Sequence, residues 1–227
     1  MPLRAAVTLA VAAALALPLA AARPAGAQSL TEPGSGAAFS IRRELLGRRH
    51  TVTGVGLKRV YLVFKVYAAA FYVDDHDGRG SFRKLLAATP GGLATLRDRP
   101  RLYEWLTKGD WGRALDFVML RDVERGLMAH AIRARLQTEL GDLDAPDVKS
   151  IAARFFAAID VPLRKGQRFT VVQSPGHEIV ALLDGKVLVR VRNRRVAAGI
   201  WRTNFGPRAP DQDLKRALQK HLEHLVQ

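Results

Sequence analysis

The chain contains no cysteine among its 227 residues. This absence excludes disulfide bridges and thiol nucleophiles, so the fold must gain its stability from packing. The chain also lacks the Gly-x-Ser-x-Gly motif that presents a catalytic serine in many hydrolases, so the sequence offers no motif for hydrolysis by a serine nucleophile. Gly54-Val55-Gly56 lacks the third glycine and the following helix of a dinucleotide-binding loop.

Metal-ligating residues are present, but their spacing is unfavourable. Asp74–Gly78 combines acids with His76, yet consecutive turn residues rarely converge on one ion, and a solvated turn explains them. His130 has no second histidine four residues later, and we expect His221 and His224 on the exposed end of the last helix. The sequence therefore predicts no metal site and no cofactor.

A long uncharged apolar run occurs at the N-terminus, and no second one follows. Met1–Arg4 is basic, Ala5–Ala22 is apolar, and Ala25-Gly26-Ala27 has the small-x-small pattern of a cleavage site. This order predicts a signal peptide over residues 1–27, cleaved before Gln28, rather than a membrane anchor. A periplasmic or secreted location is the corresponding expectation.

The charge is strongly positive, with 36 Lys and Arg against 21 Asp and Glu. The basic residues are spread along the chain, apart from Arg42-Arg43, Arg48-Arg49 and Arg190–Arg195. Spread charge indicates a generic basic surface, and an anionic membrane surface is a possible partner. No nucleic-acid motif is present, and export argues against a nucleic-acid partner.

The longest apolar-rich run of the mature chain is Thr51–Asp75, and it is dense in β-branched and aromatic residues. Its even positions from Val60 to Ala70 are all apolar, which is typical of a strand with one face in a core. The other face would carry Arg59, Tyr61, Lys65 and Tyr67. A cation beside a phenol can hold an anionic oxygen, but an antiparallel sheet can also leave one face in solvent. Both interpretations stay open.

The remaining pattern predicts an α+β fold, with an antiparallel sheet covered on one face by helices. Residues 28–50 are predicted as a flexible basic lead-in, residues 51–227 as the domain, and residues 54–56 as a bend between two strands. Residues 93–111 are irregular in pattern. The predicted helices are Phe82–Ala88, Val123–Leu140, Asp147–Ile159, Val196–Asn204 and Leu214–Val226. The predicted later strands are Ala114–Leu120, Arg168–Gln173, Glu178–Leu183 and Lys186–Arg192.

Three segments in register resemble the chalcone isomerase-like family, including its exported bacterial members. Gly54–Leu57 running into Phe64–Tyr72 is similar to the signature strand of that family. Leu120–Val123 enters a helix as it does there, and Gln173–Gly176 with Ile200–Pro207 resembles the late sheet and C-terminal helices. Together these segments span most of residues 52–222.

The resemblance implies an open-faced β-sandwich, in which a large antiparallel sheet and its helices enclose a cleft. In the plant enzymes of this family the cleft cyclises a chalcone to a flavanone. Related members bind fatty acids, and many bacterial members have no demonstrated reaction.

The resemblance also implies positions for a site. The substrate-holding arginine of the enzymes falls on Lys58, beside Arg59, and lysine lacks the forked donor geometry of arginine. The threonine on their next strand falls on Tyr67, and their later threonine matches Thr203. Their helix tyrosine and asparagine fall within Gly126–Arg133, where neither residue type occurs.

Three functions follow as hypotheses. The favoured one is a binder of a small anionic amphiphile such as a fatty acid, without efficient catalysis. Its ligand-binding residues would be Lys58, Tyr61, Lys65 and Tyr67. The alternative is an isomerase or intramolecular lyase acting on an enone-type substrate, with Arg59 and Thr203 as oxyanion partners. The third is an interaction module that uses its basic surface at a membrane.

Overall fold

The computed structural model describes residues 28–60, 64–96, 100–209 and 211–227. The predicted signal peptide and Tyr61 lie outside the described residues. Within these ranges no helix has both the length and the apolar character that crossing a bilayer requires.

The described strands form one two-stranded and one seven-stranded antiparallel sheet. The two-stranded sheet is a hairpin of β1 (Ser29–Thr31) and β2 (Ala38–Ser40). The large sheet has the order β3 to β9, so neighbours in the sheet are also neighbours along the chain. Its strands are β3 (Arg42–Leu45), β4 (Arg48–Val60), β5 (Phe64–Asp74), β6 (Arg113–Met119), β7 (Arg168–Ser174), β8 (Glu178–Leu183) and β9 (Lys186–Arg192).

The helices of the described residues lie mainly between β5 and β6, between β6 and β7, and after β9. They are α1 (Asp77–Ala87), α2 (Gly92–Leu96), α3 (Pro100–Lys108), α4 (Leu127–Leu140), α5 (Pro146–Ile159), α6 (Arg194–Phe205), α7 (Gln212–Leu218) and a C-terminal 3₁₀ helix (Leu222–Leu225). The predicted α+β class, with helices on an antiparallel sheet, is confirmed.

Both faces of β5 are buried, whereas the sequence pattern predicts one. Tyr67 and Phe71 pack towards the helices in the main core. Ala70 and Tyr72 point the other way, into a second cluster that includes Phe39 of the β1–β2 hairpin. The hairpin therefore covers the even-numbered face, which the alternation predicted as the core face, while the face of Tyr67, which was left as either cleft or solvent, lies under the helices.

The predicted flexible lead-in is wrong, because residues 28–50 form β1, β2, β3 and the start of β4. Long-range contacts hold them to the sheet. Arg43 lies 2.5 Å from the fully buried Asp116, which also pairs with Arg168 of β7. The Tyr72 hydroxyl donates to the Ser40 carbonyl at 3.0 Å.

Three further boundaries differ from the prediction. The irregular region 93–111 contains α2 and α3. The helix predicted from Val123 begins at Leu127, because Val123 makes an antiparallel bridge to Leu163. The predicted last helix divides into α7 and the 3₁₀ helix, which brings His221 beside His224.

Gly54 and Gly56 serve close packing instead of the predicted bend, since β4 runs without interruption from Arg48 to Val60. A Cβ atom on Gly54 would lie 2.1 Å from the Ala217 carbonyl oxygen, and one on Gly56 would lie 2.6 Å from Leu214 Cδ1. Helix α7 therefore rests directly on the bare backbone of β4.

We expect Gly54→Ala to lower the free energy of unfolding by about 2–3 kcal/mol, because the added methyl group meets rigid backbone. Gly80→Ala is the matched control, since Gly80 lies in α1 with no atom within 4 Å of the added Cβ. It should raise stability by about 0.5–1 kcal/mol. Denaturant unfolding of both variants measures the difference, and equal midpoints would contradict the packing argument.

A buried cation fixes α6 against the sheet. The Arg113 guanidinium lies between the rings of Trp111 and Trp201, with its carbon 4.5 and 4.6 Å from their centroids. Its N–H groups donate to the carbonyl oxygens of Trp105, Leu106 and Gly109 and to Gln173 Oε1. Gln173 Oε1 also accepts from the Trp201 indole at 2.5 Å. Burial lowers the pKa of Arg113, and the charge of Asp110 opposes that effect. The indole faces also stabilise the cation.

We expect Arg113→Met to lower the free energy of unfolding by about 2–4 kcal/mol, because the buried Leu106 carbonyl loses its donor and both indoles lose the cation. Arg83→Met, on the exposed side of α1, should change it by less than about 0.5 kcal/mol. Unfolding midpoints in guanidinium chloride compare the two variants. An Arg113→Met midpoint equal to that of the control would refute the anchoring role.

Candidate functional site

A polar cluster lies where β4 and β5 meet α4, α6 and the start of α7. We call it the Tyr67 pocket. It is lined by Lys58, Tyr67, Arg135, Thr203, Asn204 and Asp211. Lys58 and Tyr67 are direct partners across β4 and β5, so their side chains leave the sheet on the same face, towards the helices.

Lys58 is held by an acid within the pocket. Its Nζ lies 3.2 Å from Asp211 Oδ2, and both side chains are about four-fifths buried. The other oxygen of Asp211 accepts from the Leu214 amide at 2.8 Å, which caps the N-terminus of α7. Asp211 thus joins the helix start to the cation on the strand.

Tyr67 is buried, and its ring meets the Phe117 ring edge to face at a centroid distance of 5.0 Å. Burial raises the pKa of Tyr67, while the neighbouring Arg135 guanidinium opposes this rise. The phenol therefore stays protonated at neutral pH and can donate a hydrogen bond to an anion.

Thr203 and Asn204 are occupied by their own helix. The Thr203 hydroxyl donates to the Ile200 carbonyl at 2.7 Å, and Asn204 Nδ2 donates to the same carbonyl at 2.9 Å. Asn204 Nδ2 also lies 3.1 Å from Thr203 Oγ1. In this arrangement Thr203 offers lone pairs, not a proton, to a substrate oxygen.

The free space at the centre of the Tyr67 pocket is about 10 Å³, enough for about one water molecule. An acyl chain enters this site only if neighbouring side chains move. A larger cavity of about 470 Å³ lies beside α7, between α3 and the end of α6. Its lining includes Leu102, Leu106, Phe205 and Lys215, and burial lowers the pKa of Lys215.

Of the residues that the sequence singled out, the pocket brings together Lys58, Tyr67 and Thr203. Arg59 and Lys65 are cross-strand partners of each other and lie at the opposite face. Lys65 Nζ donates to the Gly34 carbonyl at 2.5 Å, and the Arg59 guanidinium also lies beside Gly34. Tyr61 lies outside the described residues.

The prediction that Lys65 and Tyr67 share one strand face is wrong because of a β-bulge. Lys58 pairs with Tyr67, but the next residue, Arg59, pairs with Lys65, which leaves Val66 as an extra residue in β5. An extra residue inverts the alternation beyond it. Arg59 and Thr203 are consequently not brought together at one site.

Sequence reasoning did not assign Arg135, Asn204 or Asp211 to the site. Asp211 was identifiable only as a helix cap. Arg135 had a detectable signal, since it interrupts an apolar stripe beside Ile132 and Leu136 on the helix predicted there. A lone cation within such a stripe indicates a buried polar partner.

The geometry defines a helix-covered antiparallel sheet with a cationic pocket beneath its helices. The family model described as chalcone isomerase-like matches residues 102–219, which is more than half of the chain. The chain belongs to the chalcone isomerase-like family, as the resemblance in the sequence implied.

One similar solved structure is that of the fatty-acid binding protein AtFAP1 of Arabidopsis thaliana. The two share 17% sequence identity with a TM-score of 0.70, over 88% of this chain and 99% of that one. This likeness establishes the fold. No curated protein matches the sequence.

Proposed function

We propose that the chain is an exported protein that binds a small anionic amphiphile such as a fatty acid, without efficient catalysis. The proposal rests mainly on one observation: two cations, Lys58 and Arg135, lie beside the buried phenol of Tyr67. Among the described lining residues Asp211 is the single acid, so the pocket has an excess of positive charge. The fatty-acid binding of AtFAP1, on the same fold, supports the ligand class.

The ligand carboxylate would lie among Lys58, Arg135 and Tyr67. A guanidinium and a phenol both form short, strong hydrogen bonds to a carboxylate. The carboxylate would take over Lys58 from Asp211, which can keep its hydrogen bond to the Leu214 amide. Asp211 therefore competes with the ligand for Lys58, and it neutralises the Lys58 charge while the pocket holds no ligand.

The acyl chain requires room that α4 can provide. In this fully described helix Ala129 and Leu136 are the buried residues, and glycines with positive φ, Gly126 and Gly141, flank its ends. Met128 and Ile132 are half-buried and pack against the core. Methionine readily adopts other rotamers, so an outward shift of α4 would open an apolar path beside the pocket.

Export rests on the basic, apolar and small-residue order of residues 1–27. The positive charge of the chain makes an anionic membrane surface a second proposed partner, from which an amphiphile could be taken up. Such an association would weaken as salt screens the surface charge.

The decisive experiment compares fatty-acid binding by single variants of the delipidated mature chain. Lys58→Met should weaken laurate binding about tenfold or more, because a charge-assisted hydrogen bond contributes about 1.5–3 kcal/mol. Asp211→Asn should strengthen it, because asparagine keeps the helix cap but no longer competes for Lys58. Isothermal titration calorimetry measures both changes.

Lys65→Met is the matched control, since it removes a cation from the same region of the sheet at the opposite face and should leave affinity unchanged. Equal effects of Lys58→Met and Lys65→Met would place the carboxylate elsewhere. A selective loss in Lys215→Met would assign it to the cavity beside α7. Absence of binding by the wild type, with no lipid on the purified protein by mass spectrometry, would end the proposal.

The alternative, an intramolecular lyase, needs Arg59 and Thr203 at one substrate oxygen. Arg59 lies beside Gly34 at the other face, and the Thr203 proton is directed to Ile200. We therefore expect the absorbance of a panel of chalcones to decay at the rate of buffer alone. A faster decay that Arg59→Ala abolishes would favour the lyase.

A further inference from the structure

The C-terminal 3₁₀ helix gathers three metal-ligating side chains outside the Tyr67 pocket. Helix α7 ends at Leu218, and His221 precedes the 3₁₀ segment as its N-cap. A 3₁₀ helix has three residues per turn, so residues three apart lie above one another. The rings of His221 and His224 are accordingly nearly parallel, with an interplanar angle of 11° and centroids 5.2 Å apart.

The geometry points to a site for a divalent transition-metal ion of the zinc type at His221, Glu223 and His224. One ligand atom from each residue can be chosen so that all three lie within 4.8 Å of one another. His221 Nδ1 is 3.2 Å from Glu223 Oε1. Two ligands of a tetrahedral zinc ion are about 3.3 Å apart when each bond is about 2.0–2.1 Å long, so this pair already has the required separation.

His224 has the orientation of a metal ligand. Its Nδ1 lies 3.1 Å from the Val52 carbonyl oxygen, a contact that assigns the proton to Nδ1 and leaves the Nε2 lone pair for an ion. Carbonyl partners of this kind are common behind histidines that bind zinc.

The backbone of the site is fixed to β4. The His221 amide donates to the Thr53 carbonyl at 2.6 Å, at the residue where the β4–β5 register shifts. The His224 carbonyl accepts from Arg79, whose guanidinium is also paired with Asp75. The three ligands are half-buried, so water can complete the coordination.

The chemistry of the donors selects the ion. Two imidazoles and one carboxylate suit zinc and similar borderline ions, whereas calcium and magnesium favour sites built from oxygen atoms alone. The positive charge of the neighbouring Arg79 weakens the attraction of the site for a divalent ion. The negative charge of Glu223 strengthens it. The site is therefore expected to bind zinc reversibly rather than as a permanent structural ion.

The test is zinc binding by the full mature chain after treatment with a chelator. We expect one zinc ion per wild-type chain by titration against a chromophoric indicator. His221→Ala and Glu223→Gln should each lower the affinity about tenfold or more, in line with the loss of one ligand. Excess zinc should raise the unfolding temperature of the wild type but not of His221→Ala.

His130→Ala is the control, because His130 is exposed on α4 and remote in sequence from the cluster. Glu223→Gln keeps the shape of the side chain, so it tests the ligand even if a histidine variant folds poorly. Zinc binding that is unchanged in both His221→Ala and Glu223→Gln would overturn the proposal. A wild-type chain that binds no zinc would also overturn it and would leave the cluster as a hydrogen-bonded cap of the C-terminus.

Discussion

The contact between α7 and the bare backbone of β4 is the constraint on which both proposed sites depend. Gly54 and Gly56 let the helix approach to a distance that any side chain would prevent. At the start of that helix Asp211 reaches Lys58, and beyond its end His221 bonds to the β4 backbone. A helix of seven residues thus sets the position of the Tyr67 pocket and of the cluster of His221, Glu223 and His224.

The pocket joins rigid and adjustable parts. Arg113 fixes Trp201 between the sheet and α3, so α6 carries Thr203 and Asn204 on a firmly anchored helix. The strands fix Lys58 and Tyr67 through their backbone pairing. Helix α4, which carries Arg135, buries few of its side chains and is flanked by glycines. Entry of the proposed ligand would therefore be accommodated most easily on the α4 side, while Lys58, Tyr67, Thr203 and Asn204 keep their positions.

The residue pattern along the chain predicted correctly those elements whose structure depends on interactions between residues close in sequence. The meander of β7, β8 and β9 follows from alternation and from Asp184-Gly185, which both adopt positive φ in the hairpin turn. The lead-in could not be predicted in this way, because its strands are held by distant partners such as Asp116. The faces of β5 were misassigned for a related reason. Period-two reasoning assumes one continuous register, and the bulge at Val66 has no marker in the sequence, so Lys65 was grouped with Tyr67.

The same arrangement favours binding of an anion over catalysis on an enone. Lys58 is largely buried and already paired, so a ligand must replace Asp211 with an oxygen of comparable negative charge. A neutral ligand that displaced Asp211 would leave the desolvated Lys58 cation without a counter-charge, which costs more free energy than the loss of a neutral hydrogen bond. Catalysis would further need donors aimed at the charge that develops in the transition state. Here the Thr203 proton is directed to its own helix and Arg59 lies at the other face, so the donors match a carboxylate that is charged from the outset.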